Sequence, residues 1–319
     1  MRKEIKLEKT IQNITIKAAY EEFKKIRTND NLTRETMGYY DNVLHIFTTF
    51  YNSEHLCNEI TQDVIQNYIF HLKTKETPLS SVTINSYLRG LRAILYFFME
   101  KGFMPQYTIK LIKQEKKIKQ TYNDYELALL LKKPNIKECS FAEYRNWVVS
   151  NYFLATGNRL STVCNLKICD IDFANGEIVL TKTKNRRQQI IPLSFTLSRV
   201  LKEYLLYRKG DSEDFVFCNK FGGKMSKNTI TSAIVYYNKK RGVSKTSIHI
   251  YRHTFAKNWI LNGGDIFRLK SLLGHSTLDM VKEYVDMFGS DLKKDFDKFN
   301  PLDNFSEYQA ERVNIKMAK

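Results

Sequence analysis

The chain has 319 residues, 43% of them apolar, and carries 51 Lys and Arg against 34 Asp and Glu, a formal charge of +17. That length supports two ordinary domains with their own cores, and the positive excess points to a polyanionic partner, because Lys and Arg gain affinity by releasing counterions from phosphates. No run approaches the roughly 20 apolar residues of a spanning helix, and Met1-Arg2-Lys3-Glu4-Ile5-Lys6 lacks the apolar stretch of a signal peptide, so a cytoplasmic protein with no membrane partner is expected.

From Thr10 to about Met104, apolar residues recur at helical spacing: Ala19, Phe23 and Ile26; Tyr39, Val43 and Phe47; Val64, Tyr68 and Leu72; Ile84, Leu88, Leu91 and Leu95. Four helices and no strands are predicted, forming a helical domain over 1–104. Ser80 and Ser81 cap the longest helix, from which Thr83, Asn85 and Arg89 are candidates for DNA contact. A linker is predicted over 105–124, where Lys110, Lys113, Lys116, Lys117 and Lys119 face only Glu115; Lys116 and Lys117 are candidate phosphate contacts of a basic strap. Over 125–319 helices dominate again. A hairpin is predicted between Gly176 and Pro192, with Lys184-Asn185-Arg186-Arg187 near its turn, and a short extended stretch at Asp214–Phe217 precedes Gly222-Gly223 and Lys224, another candidate DNA contact. Beyond Tyr284, the residues Phe288, Leu292, Phe296 and Phe299 form an apolar series at helical spacing. The expected fold is mainly α with a small β-sheet, in two domains. The five cysteines form no Cys-x-x-Cys pair, which predicts reduced thiols and excludes a disulfide framework or zinc ribbon.

The chemistry concentrates late in the chain. In His249-Ile250-Tyr251-Arg252 the first and last residues share a helix face, so an imidazole and a guanidinium fork meet one ligand, and the fork suits phosphate oxygens. In Leu273-Gly274-His275-Ser276, Gly274 is placed to end one helix and Ser276 to cap the next, with Asp279 completing a capping box. Tyr284 follows on that second helix. Upstream, Ala155-Thr156-Gly157-Asn158-Arg159-Leu160-Ser161 supplies another arginine, and Thr181-Lys182-Thr183-Lys184 supplies lysines at the hairpin.

In that order, Arg159, Lys182, His249 with Arg252, His275 and Tyr284 resemble the tyrosine recombinase family, also called phage integrases. Ile248-His249-Ile250-Tyr251-Arg252-His253-Thr254-Phe255-Ala256 is similar to the family's H-x-L-R-H-T-F-A box, and Leu272-Leu273-Gly274-His275-Ser276 to its L-L-G-H-S box. The resemblance covers most of the chain. It implies a helical core-binding domain followed by a catalytic domain, and a site-specific recombinase that cleaves and rejoins double-stranded DNA through a covalent 3′-phosphotyrosine without metal, cofactor or ATP. It also implies a homo-tetramer on paired recombination sites, accessory DNA-bending proteins, and integration, excision or resolution of a mobile element.

By this resemblance Arg159 and Arg252 clamp the non-bridging phosphate oxygens, His275 bonds the phosphate, and Tyr284 is the nucleophile. A phenol with an ordinary pKa of about 10 needs its proton removed, a task that falls to His249. A hairpin lysine reaches the leaving oxygen as general acid; Lys182 is chosen, and Lys184, two residues on with the same strand parity, stays open. One departure is Thr162, where many relatives carry an acid. It keeps an alternative alive, a catalytically weak or silent DNA-binding protein on the same fold. A type IB topoisomerase shares the covalent chemistry but not the L-L-G-H-S box. A metallohydrolase reading of His249 and His253 lacks the glutamate of H-E-x-x-H and sets Arg252 where a cation would sit.

Overall fold

The computed structural model describes residues 12–114, 119–181, 188–275 and 277–288. Its contacts divide the chain into Met1–Lys117 and Ile118–Lys319, inside the predicted linker.

The first unit consists of α1 (Ile16–Asn29), α2 (Arg34–Phe50), α3 (Gln62–Thr74) and α4 (Ser81–Lys101). Each begins on a hydroxyl cap: Thr15, Thr33, Thr61 and Ser80 each accept a backbone N–H from the first turn. These caps satisfy donors that a helix start otherwise leaves without partners. The predicted stripes converge on one core, with Phe23, Val43, Phe47, Tyr68, Ile84, Leu88, Leu91 and Leu95 all buried. α2 and α4 approach closely at Gly90, where an added Cβ would lie 2.8 Å from Val43 and 2.9 Å from the Tyr39 hydroxyl. α4 ends at Gly102 in the left-handed conformation.

Two expectations for this unit need correction. Asn85 does not face DNA; it is 2% exposed, and its amide exchanges two hydrogen bonds with the Ile112 backbone, at 2.8 and 2.9 Å. A polar side chain on the buried face of a helix has to find such partners. The first half of the predicted linker is accordingly not a free strap. Tyr107 donates to the Ile60 carbonyl at 2.8 Å, the Ile109 amide donates to the Tyr96 hydroxyl, and Ile109 is buried in the helical core. Arg89 is exposed on α4, and Thr83 is half-buried in the Ser80 cap. Lys116 and Lys117 lie outside the described residues.

The second unit contains α5 (Asp124–Leu131), α6 (Phe141–Thr156), α7 (Leu160–Val163), α8 (Phe195–Arg208), α9 (Lys227–Lys240), α10 (Ile248–Leu261), α11 (Ile266–Leu273) and α12 (Asp279–Phe288). A three-stranded antiparallel sheet runs in the order β1 (Ile171–Asp172), β2 (Glu177–Leu180), β3 (Gln189–Pro192). The predicted hairpin is β2–β3, paired Ile178 with Ile191 and Leu180 with Gln189. Ile178, Leu180 and Ile191 fall on the face that joins the core. The turn, with Lys182, Lys184 and the basic run to Arg187, lies outside the described residues, as do Ser276 and the tail from 289 onward. The stretch around Phe215 is extended only as single bridges, Lys167 to Phe215 and Cys218 to Lys224. Cys57, Cys164 and Cys218 are buried free thiols, whereas Cys169 is exposed.

α6 and α10 carry the centre of this unit. Tyr251 is fully buried between them, bonded to Ser150 at 3.1 Å and to Asn238 at 3.0 Å.

Candidate active site

Helix ends build the site. α6 stops at Gly157, whose φ of +61° is left-handed, and a Cβ there would come within 2.7 Å of Phe255 and 2.8 Å of Leu273. Only glycine meets both demands. α11 stops at Gly274, φ +59°, and the His275 amide closes the cap on the Lys270 carbonyl. The carbonyls released at these two ends hold the arginines. Arg252 donates to the Gly157 and Leu273 carbonyls, both at 2.8 Å, and Arg159 donates to the Gly274 carbonyl at 3.2 Å. Gln189 of β3 donates to the Ser271 and Leu272 carbonyls, tying the hairpin to the same helix end.

Arg252 is 6% exposed, and Arg159 is half-buried. Among the described residues neither forms an ion pair with a carboxylate. Burial, followed by the nearby Arg159 charge, pushes Arg252 down to about 10, while burial lowers Arg159. Two partly dehydrated guanidiniums held by neutral carbonyls form a site that favours an anion.

His275 receives the Arg252 Nη2 hydrogen bond on Nε2 at 2.6 Å. Burial and then the Arg252, Arg159 and Lys119 charges push it down to about 3, so its imidazole is neutral and carries its proton on Nδ1. That Nδ1 is buried with no partner among the described residues. His249 lies at the mouth of the cluster, exposed on one side; partial desolvation, then Arg252 and Arg159, lower its pKa.

Tyr284 is 2% exposed, with its ring 6.5 Å from that of His275 and nearly parallel to it. Its hydroxyl bonds His253 Nδ1 at 2.7 Å. Lys119 Nζ sits 4.4 Å from the Tyr284 ring centroid and pairs with Glu283 at 2.7 Å. Burial raises the phenol's pKa, and Arg252 and Arg159 oppose that rise.

The structure therefore gathers five of the six predicted catalytic residues, Arg159, His249, Arg252, His275 and Tyr284, while Lys182 is not described. Sequence reasoning missed His253 and Lys119. The i,i+4 spacing of His249 and His253 places both rings on one face of α10, 6.4 Å apart, and was the available signal for the first. Nothing local distinguishes Lys119 from its neighbouring lysines. Thr162 is buried and shares the lining of a small cavity with the Asp170 carboxylate and Leu180. Lys224 reaches the Asn165 side chain at 2.6 Å and is exposed. Among the described residues no cluster of three or more His, Cys, Asp or Glu is placed to hold a metal, and no helix is long and apolar enough to cross a membrane.

The protein is a DNA-cleaving and rejoining enzyme of the tyrosine type. The chain belongs to the phage integrase family of tyrosine recombinases: residues 120–289 match that family and residues 14–119 match the phage integrase SAM-like domain. It is 27% identical over 296 residues to the tyrosine recombinase XerC of Oceanobacillus iheyensis, covering 88% of this chain and 94% of the relative. With the tyrosine recombinase XerD of Staphylococcus epidermidis it shares 25% identity over 287 residues, covering 86% and 96%. In fold it is similar to the integrase of the Tn1549 transposon in complex with transposon right end DNA (TM-score 0.72, 19% identity, 88% and 99% covered). A lambda integrase dimer bound to a core site is similarly close (TM-score 0.70, 16% identity, 87% and 98% covered).

Proposed function

We propose that this recombinase joins and separates double-stranded DNA sites of a mobile or chromosomal element, with Tyr284 as nucleophile. The observation that carries the reading is the Tyr284 phenol packed against His275 and Arg252, whose guanidinium, like that of Arg159, has no acidic partner among the described residues. A scissile phosphate entering there gains both guanidiniums and the unpartnered His275 Nδ1–H. Preorganised donors of this kind are worth several kcal/mol as negative charge builds on the phosphoryl oxygens. His249 is exposed beside the same cluster, and Lys182, which follows β2 in the chain, is the proposed general acid. Attack leaves a 3′-phosphotyrosine and a free 5′-hydroxyl, retaining the bond energy for rejoining.

Arg89, Thr83 and Lys224, with the strap lysines Lys116 and Lys117, are the proposed DNA contacts outside the chemistry. Assembly as a tetramer on paired sites in the cytoplasm, aided by DNA-bending proteins, extends this reading, and the tail beyond Phe288 is the segment proposed to join subunits.

The test is a covalent trap. Incubated with fragmented genomic DNA, the wild-type chain is expected to form adducts that survive boiling in detergent, and sequencing the trapped strands maps the site. On a duplex nicked beside that site, a short flap escapes and the adduct accumulates. Tyr284→Phe is expected to form none, and Tyr251→Phe, altered at a hydroxyl locked between Ser150 and Asn238, to retain it. An adduct in the Tyr284 variant, or none in the wild type, would return the chain to the DNA-binding alternative.

A further inference from the structure

We infer that His253, rather than His249, accepts the proton of Tyr284 as the hydroxyl attacks the phosphate. The inference rests on the reading of Tyr284 as nucleophile and adds the identity of its base. Three observations support it. The His253 Nδ1 lies 2.7 Å from the phenol oxygen, within proton-transfer reach before any substrate arrives. Tyr284 is almost sealed from solvent, so bulk water does not serve as acceptor. His249 is on the same face of α10 but one turn earlier, exposed and in the field of Arg252 and Arg159, and its ring lies 6.4 Å from that of His253.

The step balances. With the His253 proton on Nε2, the Nδ1 lone pair takes the phenolic proton as the Tyr284 oxygen bonds to phosphorus. The bond from phosphorus to the 5′ oxygen breaks, and that oxygen takes its proton from the general acid. On rejoining, His253 returns its proton to the tyrosine.

The groups facing His253 set when this happens. Lys119, from the segment before α5, and His249 and Arg252 on its own helix disfavour a proton on the ring; Glu283 on α12 favours one, and Tyr284 supplies the proton. Burial together with these cations holds His253 at about 4, a weak base in the free protein. A phosphodiester bound between Arg159 and Arg252 offsets part of that positive field. The acceptor therefore strengthens when the substrate that needs it is seated, which protects an unoccupied site from idle ionisation.

The test measures single-turnover adduct formation by the full chain on a nicked duplex carrying the mapped site, between pH 6 and 9. His253→Gln keeps a polar group beside the phenol but cannot take its proton. It is expected to cleave about 100-fold more slowly at pH 7 with DNA affinity retained, and its rate is expected to rise about tenfold per pH unit while the wild type stays nearly flat. His249→Gln is expected to be slow without that alkaline recovery. His253→Ala with imidazole added to the buffer reads the same step by chemical rescue if the glutamine variant folds poorly. A His253→Gln rate within about threefold of wild type, a pH profile like that of wild type, or alkaline recovery in the His249 variant would overturn the assignment. A wild-type chain that forms no adduct at all rejects the Tyr284 reading itself.

Discussion

Among the described residues the helical unit buries one polar side chain, Asn85, whereas the unit from Ile118 onward buries eleven, including Arg145, Asp170, Asn238, Arg252 and His275. The first unit is held by apolar stripes meeting at one core. Its single buried amide fastens a neighbouring segment. The second unit holds desolvated polar groups through bonds such as those of Arg145 to the Cys218 carbonyl and the Asn146 side chain, and of Asn238 to Tyr122, Tyr251 and the Lys245 carbonyl. A buried charge of this kind is weak evidence for stability and better evidence for a position that has to be fixed. Among the described residues such groups converge with no carboxylate partner at Arg159 and Arg252, the centre of the proposed site.

This contrast is broken most directly at Arg252. Arg252→Lys keeps the charge, yet one ammonium cannot serve the Gly157 and Leu273 carbonyls, His275 and two phosphate oxygens together. Cleavage on the nicked duplex is expected to fall by roughly 10²–10³-fold, with DNA binding largely retained. Near-normal cleavage would show that the buried fork has only a structural task.

In the helical unit the large effect should appear in stability instead. Leu91→Ala removes a fully buried side chain from a packed core and is expected to cost about 2–5 kcal/mol, read by denaturant unfolding. The smaller companion is Asn85→Ala, which leaves the Ile112 amide and carbonyl without their partner and is expected to cost about 1–3 kcal/mol. The sequence preference of DNA binding should not move. A changed preference with unchanged stability would restore Asn85 as a base reader.

The smallest effect sharpens the comparison through pH. His253 and His275 are held at about 4 and about 3, below the ordinary histidine value near 6.5. Between those limits the unfolded chain binds more protons than the folded one, so stability rises with pH, is fully present above about 6.5, and is lost as the solution is acidified toward 4 and then 3. Thermal melts of the wild type should fall across that window, and His275→Asn should flatten the slope. An unchanged slope would mean that His275 is not held neutral by the fold.

Much of this was legible in the amino-acid order. Helical periodicity identified α1 to α4 and most of their buried positions, because a stripe at period 3.6 has few other ways to leave water. Gly274 was readable as a helix stop, since left-handed backbone favours glycine. The arginines, histidines and tyrosine were readable because their order and boxes resemble a known family. Thr83 and Asn85 illustrate the limit: two residues apart on α4, one half-exposed in a cap and the other buried against Ile112. Which face a polar residue takes near a helix start depends on what packs there, and that partner lies 27 residues along the chain.

The sequence by itself determined the class of chemistry, because the guanidinium fork, the phenol and the glycine-ended helices are properties of residue types and their local spacing. Only the tertiary structure decided which histidine holds the phenol. His249 and His253 are equivalent on α10 until α12 sets Tyr284 within 2.7 Å of the second. It alone brought Lys119 over the Tyr284 ring from 165 residues away in the chain. It also placed the carbonyls of Gly157, Leu273 and Gly274 around the two arginines. Hydrogen bonds and charge fields act over a few ångströms, and the distances that set them arise only when helices remote in sequence pack together.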